Sequence, residues 1–595
     1  MSETNRRSAS TLGTAGRTNA LRELHALGVD PRLGSHCRKV VDAGDMKAHS
    51  QISLGGLAGV RRRTAALRRS GGLVRRRFTG RLAGSLPAVQ VQVARAATST
   101  CAEQGRSDGY APRRPEDTLL HALVSEHWPR FKERAEAHGG LPKFVEEEFD
   151  AYLRCGLVEY GLIQLACRGC GHEMVVGFSC KRRGFCPSCL GRRMSDIAAH
   201  LVDSVLPEVP IRQWVCSLPW RLRCALGYDR KLCADVLGAF TDALKRSLRW
   251  RAKRQFGLRS VRDAQMGALT FVQRADSALR LNVHFHTLAL DGVYVRDEEG
   301  ELQFRELGEP STEDVAQVAA WTHASLLRVL KRHGRSMEGI SDAADSFATD
   351  QPVLASCYGA SAADVQLLGP AAGRKTAKLV RPLRLVQGSG SVALAEVGGV
   401  NIHAAVAVDG RDRRRLERLC RYIARPPLSL ERLEEHPDGR VRIRFKSAWK
   451  DGTHSVLLDP LDFISRLCAL IPPPRFHMLR YHGVLAGHSR DRAEVVPQEL
   501  AKDESSLPPS NDAQQLLFEP APPLQPPPPP SRHPWAWLLR RVFAIDIMTC
   551  PHCQGAMRVT AVATEADDIR AVLGTAARAR PPPPVRQLEL DFAAA

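Results

Sequence analysis

The chain has 595 residues, 44% of them hydrophobic and 25% charged, which is ordinary for a globular protein and long enough for several domains. No run of about 18 or more apolar residues occurs, which excludes a helical membrane span, so no membrane partner is expected. The formal net charge of +21 is not ordinary and favours a polyanionic partner.

Residues 1–110 lack sustained periodicity and are rich in Gly, Ser, Ala and Arg, as in "GVRRRTAALRRSGGLVRRRF" (59–78). They are expected to be a disordered basic extension. Up to residue 115 there are 21 Lys/Arg against seven Asp/Glu, so most of the charge excess sits there. That bias reads either as an electrostatic tail or as coding composition. "MSETNRRSAS" leads into no apolar stretch, so no secretory signal and a cytoplasmic location are expected.

Residues 111–200 read as a helical and zinc-binding domain. "RPEDTLLHALVSEHWPRFKERAEAHGG" (114–140) carries Leu119, Leu120, Leu123, Val124 and Trp128 at helical spacing and ends in a Gly pair. "LPKFVEEEFDAYLRCG" (141–156) predicts a second amphipathic helix. A cysteine-rich module follows. In a chain without an export signal, closely paired cysteines point to metal rather than disulfides. "ACRGCGHEMVVGFSCKRRGFCPSCLGRR" (166–193) contains Cys167-x-x-Cys170 and Cys186-x-x-Cys189. Two such knuckles can present four thiolates tetrahedrally, and zinc then supplies folding free energy that a small core cannot. Cys180 is a fifth candidate, and His172 a competitor for the site. Lys181, Arg182, Arg183, Arg192 and Arg193 rim the knuckles, either to meet phosphates or as solvated surface.

Residues 205–495 alternate strands and helices. "RQWVCSLP" (212–219) and "MGALTFVQ" (266–273) read as strands on either side of a long basic helix at about 225–256. "GVYVRDEEGELQFREL" (292–307) reads as a hairpin, and 312–333 as a helix. "GVNIHAAVAV" (399–408) reads as a strand leading to a helix, "RDRRRLERLCRYIAR" (411–425), which Pro426 and Pro427 stop. "RVRIRFK" (440–446) is strand-like, and a helix at about 460–470 ends at "PPP" (472–474). Residues 496–532, with "PAPPLQPPPPPS" (520–531), predict an extended Pro-rich linker. A small module at 533–577 and a tail at 578–595 complete the chain. The module holds Cys550-x-x-Cys553, a candidate zinc pair that needs His552, a partner chain or another segment to complete a site.

One strand carries the chemistry. In "LNVHFHTLALDG" (281–292), His284 and His286 share one face because successive side chains on a strand alternate. Two adjacent imidazoles fill a core poorly but hold a metal well; the alternative is a pair of unrelated polar positions. A metal so held can act as a Lewis acid on a phosphoryl oxygen. In the helix 411–425, Leu416, Leu419, Cys420 and Ile423 form the apolar stripe. Tyr422 lies off it, among Arg415, Arg418 and Arg425, where a phosphate could meet the phenol and the arginines could hold it. The alternative is a boundary tyrosine with a half-buried ring.

"LNVHFHTLALDGVYV", "LERLCRYIARPPLSLERL" and "MLRYHGVLAGHSRDR", preceded by "FSCKRRGFCPSC" and followed by "CPHC" with "MRV", resemble the insertion sequence 91 family of transposases, HUH-type enzymes of rolling-circle transposition. The resemblance runs in order from about 111 to 495. It implies an α+β fold: an antiparallel sheet bearing the site, with flanking helices on one side, plus an N-terminal zinc module and a small C-terminal module. It implies that His284 and His286 bind a catalytic Mg²⁺ or Mn²⁺, beside structural Zn²⁺. It implies that Tyr422 attacks a phosphate of single-stranded DNA, leaving a free 3′-OH and a 5′-phosphotyrosine link. The partners implied are single-stranded DNA at element ends and target DNA. The family pattern has two tyrosines one helical turn apart, and here Arg418 stands where the other would be. One tyrosine must then be reused, or a homodimer must supply the second. The third metal ligand is expected to be His403, with Asp291 as second choice; His477 and His482 lie near Tyr481, a rival nucleophile. Lys181, Arg182, Arg183, Arg415, Arg418 and Arg425 are the expected DNA contacts. The alternatives are a zinc-ribbon DNA-binding protein without catalysis, and a metal nuclease that transfers to water.

Overall fold

The computed structural model describes residues 112–337, 346–381, 393–497, 534–543 and 546–576. The expected basic extension, nearly all of the Pro-rich linker and the tail lie outside the described residues.

In chain order the elements are α1 (Leu119–Glu136), α2 (Lys143–Leu153), β1 (Leu162–Cys167), β2 (Glu173–Gly177), α3 (Pro187–Ser204), β3 (Ile211–Ser217), α4 (Arg230–Phe256), β4 (Gly267–Ala275), β5 (Leu281–Leu290), β6 (Gly292–Arg296), β7 (Leu302–Glu306) and α5 (Thr312–Arg332). They continue with α6 (Pro352–Ala363), β8 (Ala377–Val380), β9 (Leu394–Val397), β10 (Val400–Val408), α7 (Arg413–Ala424), β11 (Leu433–Glu435), β12 (Val441–Arg444), β13 (Thr453–Leu458), α8 (Pro460–Leu470), β14 (Leu479–Gly483), α9 (Trp535–Phe543), β15 (Met557–Ala563) and α10 (Ala566–Ala576). Short helical turns carry no label.

The central element is a six-stranded sheet of order β14-β4-β5-β3-β10-β9, with all its neighbours antiparallel. Its middle strand, β5, is the His-x-His strand. Alternation divides its side chains between two cores. Val283 and Phe285 are fully buried in the larger core with Trp214, Cys216, Val272 and Phe240 of α4. Leu288 and Leu290 point the other way, into a second cluster with Leu269, Phe271, Ile211, Ala198 and Leu201 of α3, and Leu416, Cys420 and Ile423 of α7. Helices therefore cover both faces, α4 and α5 on one and α3 and α7 on the other. The expectation of helices on one side is corrected here. The second layer forms because α7 carries an apolar stripe of its own, at Leu416, Cys420 and Ile423, and it buries that stripe on the sheet.

Three smaller sheets surround this body: β11-β12-β13-β8, the β6–β7 hairpin, and β15-β1-β2. In the last, β15 pairs along β1 from Leu162↔Ala563 to Cys167↔Met557. The segment expected to form a C-terminal module of its own thus adds a strand to the cysteine-rich module. Farther upstream, Trp128 of α1 stacks on Phe149 of α2 with ring centroids 4.0 Å apart, joining the two N-terminal helices. No described helix is long and apolar enough to cross a membrane.

Asp291, the second choice for a metal ligand, follows β5 on the side away from the histidines. It is buried and held by Arg212, whose Nε lies 3.0 Å from both carboxylate oxygens and whose Nη2 lies 2.7 Å from Oδ2. Arg212 also donates to the Ala404 carbonyl at 3.0 Å, so this pair ties β3, β5 and β10 together. Asp291 is structural, which corrects that expectation. Removing one partner leaves an uncompensated buried charge. Arg212→Ala should destabilise the protein by about 3–5 kcal/mol, and Arg212→Met with Asp291→Leu by clearly less. Urea denaturation of the two variants measures this; equal losses would show that the pair is not what the strands depend on.

Candidate functional site

Residues on the α7 side of the sheet are fixed by register. Across β5, His284 stands opposite Gln273 on β4 and Ser217 on β3, and His286 stands opposite Phe271 and Val215. The two imidazole centroids are 5.0 Å apart. Each Nδ1 is engaged: that of His284 lies 2.8 Å from the Asn282 carbonyl, and that of His286 lies 2.8 Å from the side-chain amide of Gln213. A carbonyl partner requires that the Nδ1 of His284 carry the proton. At His286 the facing atom is the Gln213 Nε2, which donates, so that Nδ1 accepts. At His284 ligation is therefore directed to Nε2, as outer-shell partners of metal-binding histidines do.

Burial holds both rings neutral. It lowers the pKa of His284, and it pushes that of His286 down to about 3, with the neighbouring His284 and Arg425 acting in the same direction. Neutral imidazoles are the form a metal takes. Asn282 is two residues earlier on the same face, and its Oδ1 is buried without a hydrogen-bond partner. Two nitrogen donors and one unpartnered oxygen suit a hard divalent ion whose other positions are water or phosphate oxygens.

The tyrosine helix lies on this same face. Asp412 caps α7 by accepting from the Arg415 N–H at 3.0 Å, and the helix ends before Pro426. Leu416, Cys420 and Ile423 are buried as the stripe predicts, and Tyr422 is half-buried at the edge of that cluster. Gln273, the ladder partner of His284, donates to the Ile423 carbonyl at 2.5 Å. One side chain thus links the histidine strands to the residue beside Tyr422. The Arg425 guanidinium sits 4.4 Å from the Tyr422 ring centroid, close enough for a cation–π contact, and its charge is also felt at both histidines. Arg415 and Arg418 are exposed, with Arg418 one turn before Tyr422.

Other expected residues fall elsewhere. His403 pairs with Val215, and Val215 pairs with His286, so His403 is two strands away; it does not join the histidine pair in a group of three ligands. That expectation is corrected. The reason is strand order: β3 inserts between β5 and β10. Tyr481 is on β14 opposite Leu269, packed in the second cluster, and burial raises its pKa, which disfavours a phenolate nucleophile. His482 faces the opposite side, 3.1 Å from the Thr270 hydroxyl, and burial pushes its pKa down to about 4. His477 is exposed in the loop before β14.

Eight of the described cysteines sort into two groups of four: Cys155, Cys180, Cys186 and Cys189, and Cys167, Cys170, Cys550 and Cys553. The grouping of Cys167 and Cys170 with Cys186 and Cys189 is corrected. Cys167 ends β1, while Cys186 caps α3, and the β1–β2 hairpin carries the first pair away from the second. In the first group the sulfurs of Cys155 and Cys186 are 3.6 Å apart, of Cys155 and Cys189 3.7 Å, and of Cys180 and Cys189 3.3 Å. Tetrahedral zinc with Zn–S of about 2.3 Å wants sulfurs about 3.8 Å apart. The Cys180 N–H points at the Cys155 sulfur from 3.3 Å, and the side chains of Cys180, Cys186 and Cys189 pull the Cys155 thiol far below its usual range. This donor set fits zinc. Cys155 stands alone in the sequence, at the end of the second amphipathic segment, so no spacing motif includes it. Around this group, Lys181 and Arg183 are exposed and Arg182 is paired with Glu147 at 3.3 Å.

A family model described as a transposase zinc-binding domain matches residues 123–218, and one described as a putative transposase matches 267–493. The first contains the whole first cysteine group; the second contains His284, His286 and Tyr422. The transposase for insertion sequence element IS801 from Pseudomonas savastanoi pv. phaseolicola is 24% identical over 384 residues, covering 64% of this chain and 78% of that protein. No solved structure matches. Two family models in the order the motifs demand, and a relative aligned across most of its length, agree with the paired histidines and clustered thiols: this chain belongs to the insertion sequence 91 family of transposases.

Proposed function

We propose that the chain nicks and rejoins single-stranded DNA at the ends of an insertion sequence through a covalent tyrosine intermediate. The observation that carries this reading is one face of one sheet: two neutral imidazoles in adjacent same-face positions, and a helix on that face whose Ile423 carbonyl, next to the half-buried Tyr422, accepts from Gln273, the ladder partner of His284. Mg²⁺ or Mn²⁺ held by His284 and His286 would polarise a non-bridging oxygen of the scissile phosphate. Asn282 is proposed as the third protein ligand in place of His403. Tyr422 Oη attacks phosphorus, the bond from phosphorus to the 3′ oxygen breaks, and the phenolic proton passes to solvent while the leaving oxygen takes up a proton. The products are a 3′-OH and a 5′-phosphotyrosine, and attack by a 3′-OH on that link rejoins a strand. Arg425, over the Tyr422 ring, is placed to hold the phosphate. Arg415 and Arg418, with Lys181 and Arg183 on the zinc module, are proposed to track the DNA backbone. With Arg418 in place of a second tyrosine, Tyr422 acts twice or a second copy contributes its own.

Purified protein mixed with labelled single-stranded element ends and Mn²⁺ should give a protein–DNA adduct on a denaturing gel. The adduct should be lost in Tyr422→Phe and with EDTA, and reduced at least about 100-fold in His284→Ala. Tight binding without cleavage would make the chain a DNA-binding protein; cleavage without an adduct would make it a nuclease that transfers to water.

Acid should act on stability before it acts on the imidazoles in the folded site. The pKa of His286 in the folded chain is about 3, below the roughly 6.5 of an unfolded histidine, so on acidification the unfolded state takes up the proton first. The contribution of this group is fully present above pH ~6.5 and is lost progressively as pH falls towards about 3. The urea midpoint should fall across that window, and His286→Gln should flatten the fall. Parallel curves for the two proteins would mean that His286 is solvated.

A further inference from the structure

The second cysteine group joins segments far apart in the chain. Cys170 and Cys550 are separated by 380 residues, yet their sulfurs lie 3.6 Å apart; those of Cys167 and Cys553 lie 3.3 Å apart. The two loops have the same backbone. In one, the Cys167 N–H donates to the His172 carbonyl at 2.8 Å and the Gly171 N–H to the Cys167 carbonyl at 3.0 Å. In the other, the Cys550 N–H donates to the Gly555 carbonyl at 2.8 Å and the Gln554 N–H to the Cys550 carbonyl at 3.0 Å. The fifth residue of each loop is left-handed, Gly171 at φ +70° and Gln554 at φ +61°. Gln554 accepts that conformation without being glycine, which indicates a loop fixed from outside itself.

The loops face each other closely. A Cβ on Gly555 would stand 3.2 Å from the Cys553 sulfur and 3.3 Å from the Cys167 sulfur, and one on Gly169 would stand 3.4 Å from the Cys553 sulfur. His172 and His552 meet beside them, with ring centroids 4.3 Å apart. One knuckle sits at the β1–β2 turn, the other leads into β15, and β15 pairs on β1. Two facing knuckles on a three-stranded antiparallel sheet are the parts of a zinc ribbon.

We propose that Cys167, Cys170, Cys550 and Cys553 bind a zinc ion of their own, completing a ribbon split across the chain, and that this ion holds the C-terminal segment in place. The consequence reaches the tyrosine helix. Arg541 of α9 bridges Asp203 of α3, at 2.5 Å, and Glu417 of α7, at 2.9 Å, and Glu417 is five residues before Tyr422. A segment clasped at the ribbon is thereby also kept on the helix that carries the nucleophile. The inference does not rest on the strand-transfer reading, because neither of its readouts involves DNA.

The test uses the full chain with a site-specific protease sequence inserted within 498–533. Zinc is counted per chain, the chain is cut, and size-exclusion chromatography shows whether the C-terminal fragment stays bound. The unsubstituted protein should hold two zinc ions and keep the fragment. Cys550→Ser with Cys553→Ser should hold one and release it, and Cys167→Ser with Cys170→Ser should do the same. The one remaining ion reports that the first cysteine group, and the fold around it, is intact. Chelation should release the fragment from the unsubstituted protein, and added zinc should restore retention. Unchanged zinc in the Cys550/Cys553 variant overturns the proposal, as does a fragment retained by that variant, or loss of metal in the Cys167/Cys170 variant alone.

Discussion

The pleat of β5 is the constraint on which the rest depends. A side-chain period of two means that no residue of this strand can serve both faces. Val283 and Phe285 anchor it in the larger core, and that anchoring fixes His284 and His286 on the other face. A slip by one residue would bury two imidazoles under α4 and turn Phe285 towards the tyrosine helix. Phe285 is fully buried, and a large buried side chain contributes about 1.5–3 kcal/mol, so the register is held by packing rather than by the site itself. The antiparallel neighbours then follow: β4 brings Gln273 opposite His284, and β3 brings Gln213 to the His286 ring.

The sheet β15-β1-β2 follows a different logic because its apolar clusters are small. The apolar cluster next to the second cysteine group contains Leu165, Cys167, Cys550 and Met557, with only partly buried neighbours. Two buried apolar side chains contribute a few kcal/mol, whereas a structural zinc contributes about 10–16 kcal/mol. A zinc ion bound there would therefore outweigh the apolar burial beside it. At the other end of the same strand pair a second small cluster, Leu162, Ala563 and Ile569, also holds the edge strand β15, so β15 rests on two modest apolar contacts and on the facing thiols between the loops.

What was legible in the sequence was what depends on short-range pattern. The His-x-His strand, the tyrosine helix and its stripe, the β6–β7 hairpin and the helices at either end of the catalytic region all lie where periodicity and breakers put them. Each is decided by neighbours within a few residues. What was not legible depends on which distant elements become neighbours. His403 was expected at the metal because it lies on a strand before Tyr422, but β3, far earlier in the chain, takes the place beside β5. Gln213 and Gln273 went unnoticed because a lone glutamine on a strand has no spacing signal. Cys155 was missed for the same reason, and the two CxxC pairs were joined because nothing in their spacing shows that a hairpin parts them. The odd C-terminal pair was the available clue: a single CxxC has half the ligands of a tetrahedral site and therefore demands a second segment.

The two metal-ligand systems are joined mechanically through the helices between them. α3 begins at Cys186 and Cys189 of the first cysteine group and ends against α7, so the thiol cluster sets the start of a helix whose apolar side packs on the tyrosine helix. Arg541 reaches the same pair of helices from the C-terminal segment. Tyr422 is only half-buried, and its own helix has just twelve residues, three of them buried. Short helices are weakly stable alone and take their position from what they pack on. The placement of the tyrosine helix on the histidine face is therefore a property of α3, of the sheet and of the C-terminal segment together. A change at either cysteine group can therefore shift Tyr422 without touching its own helix.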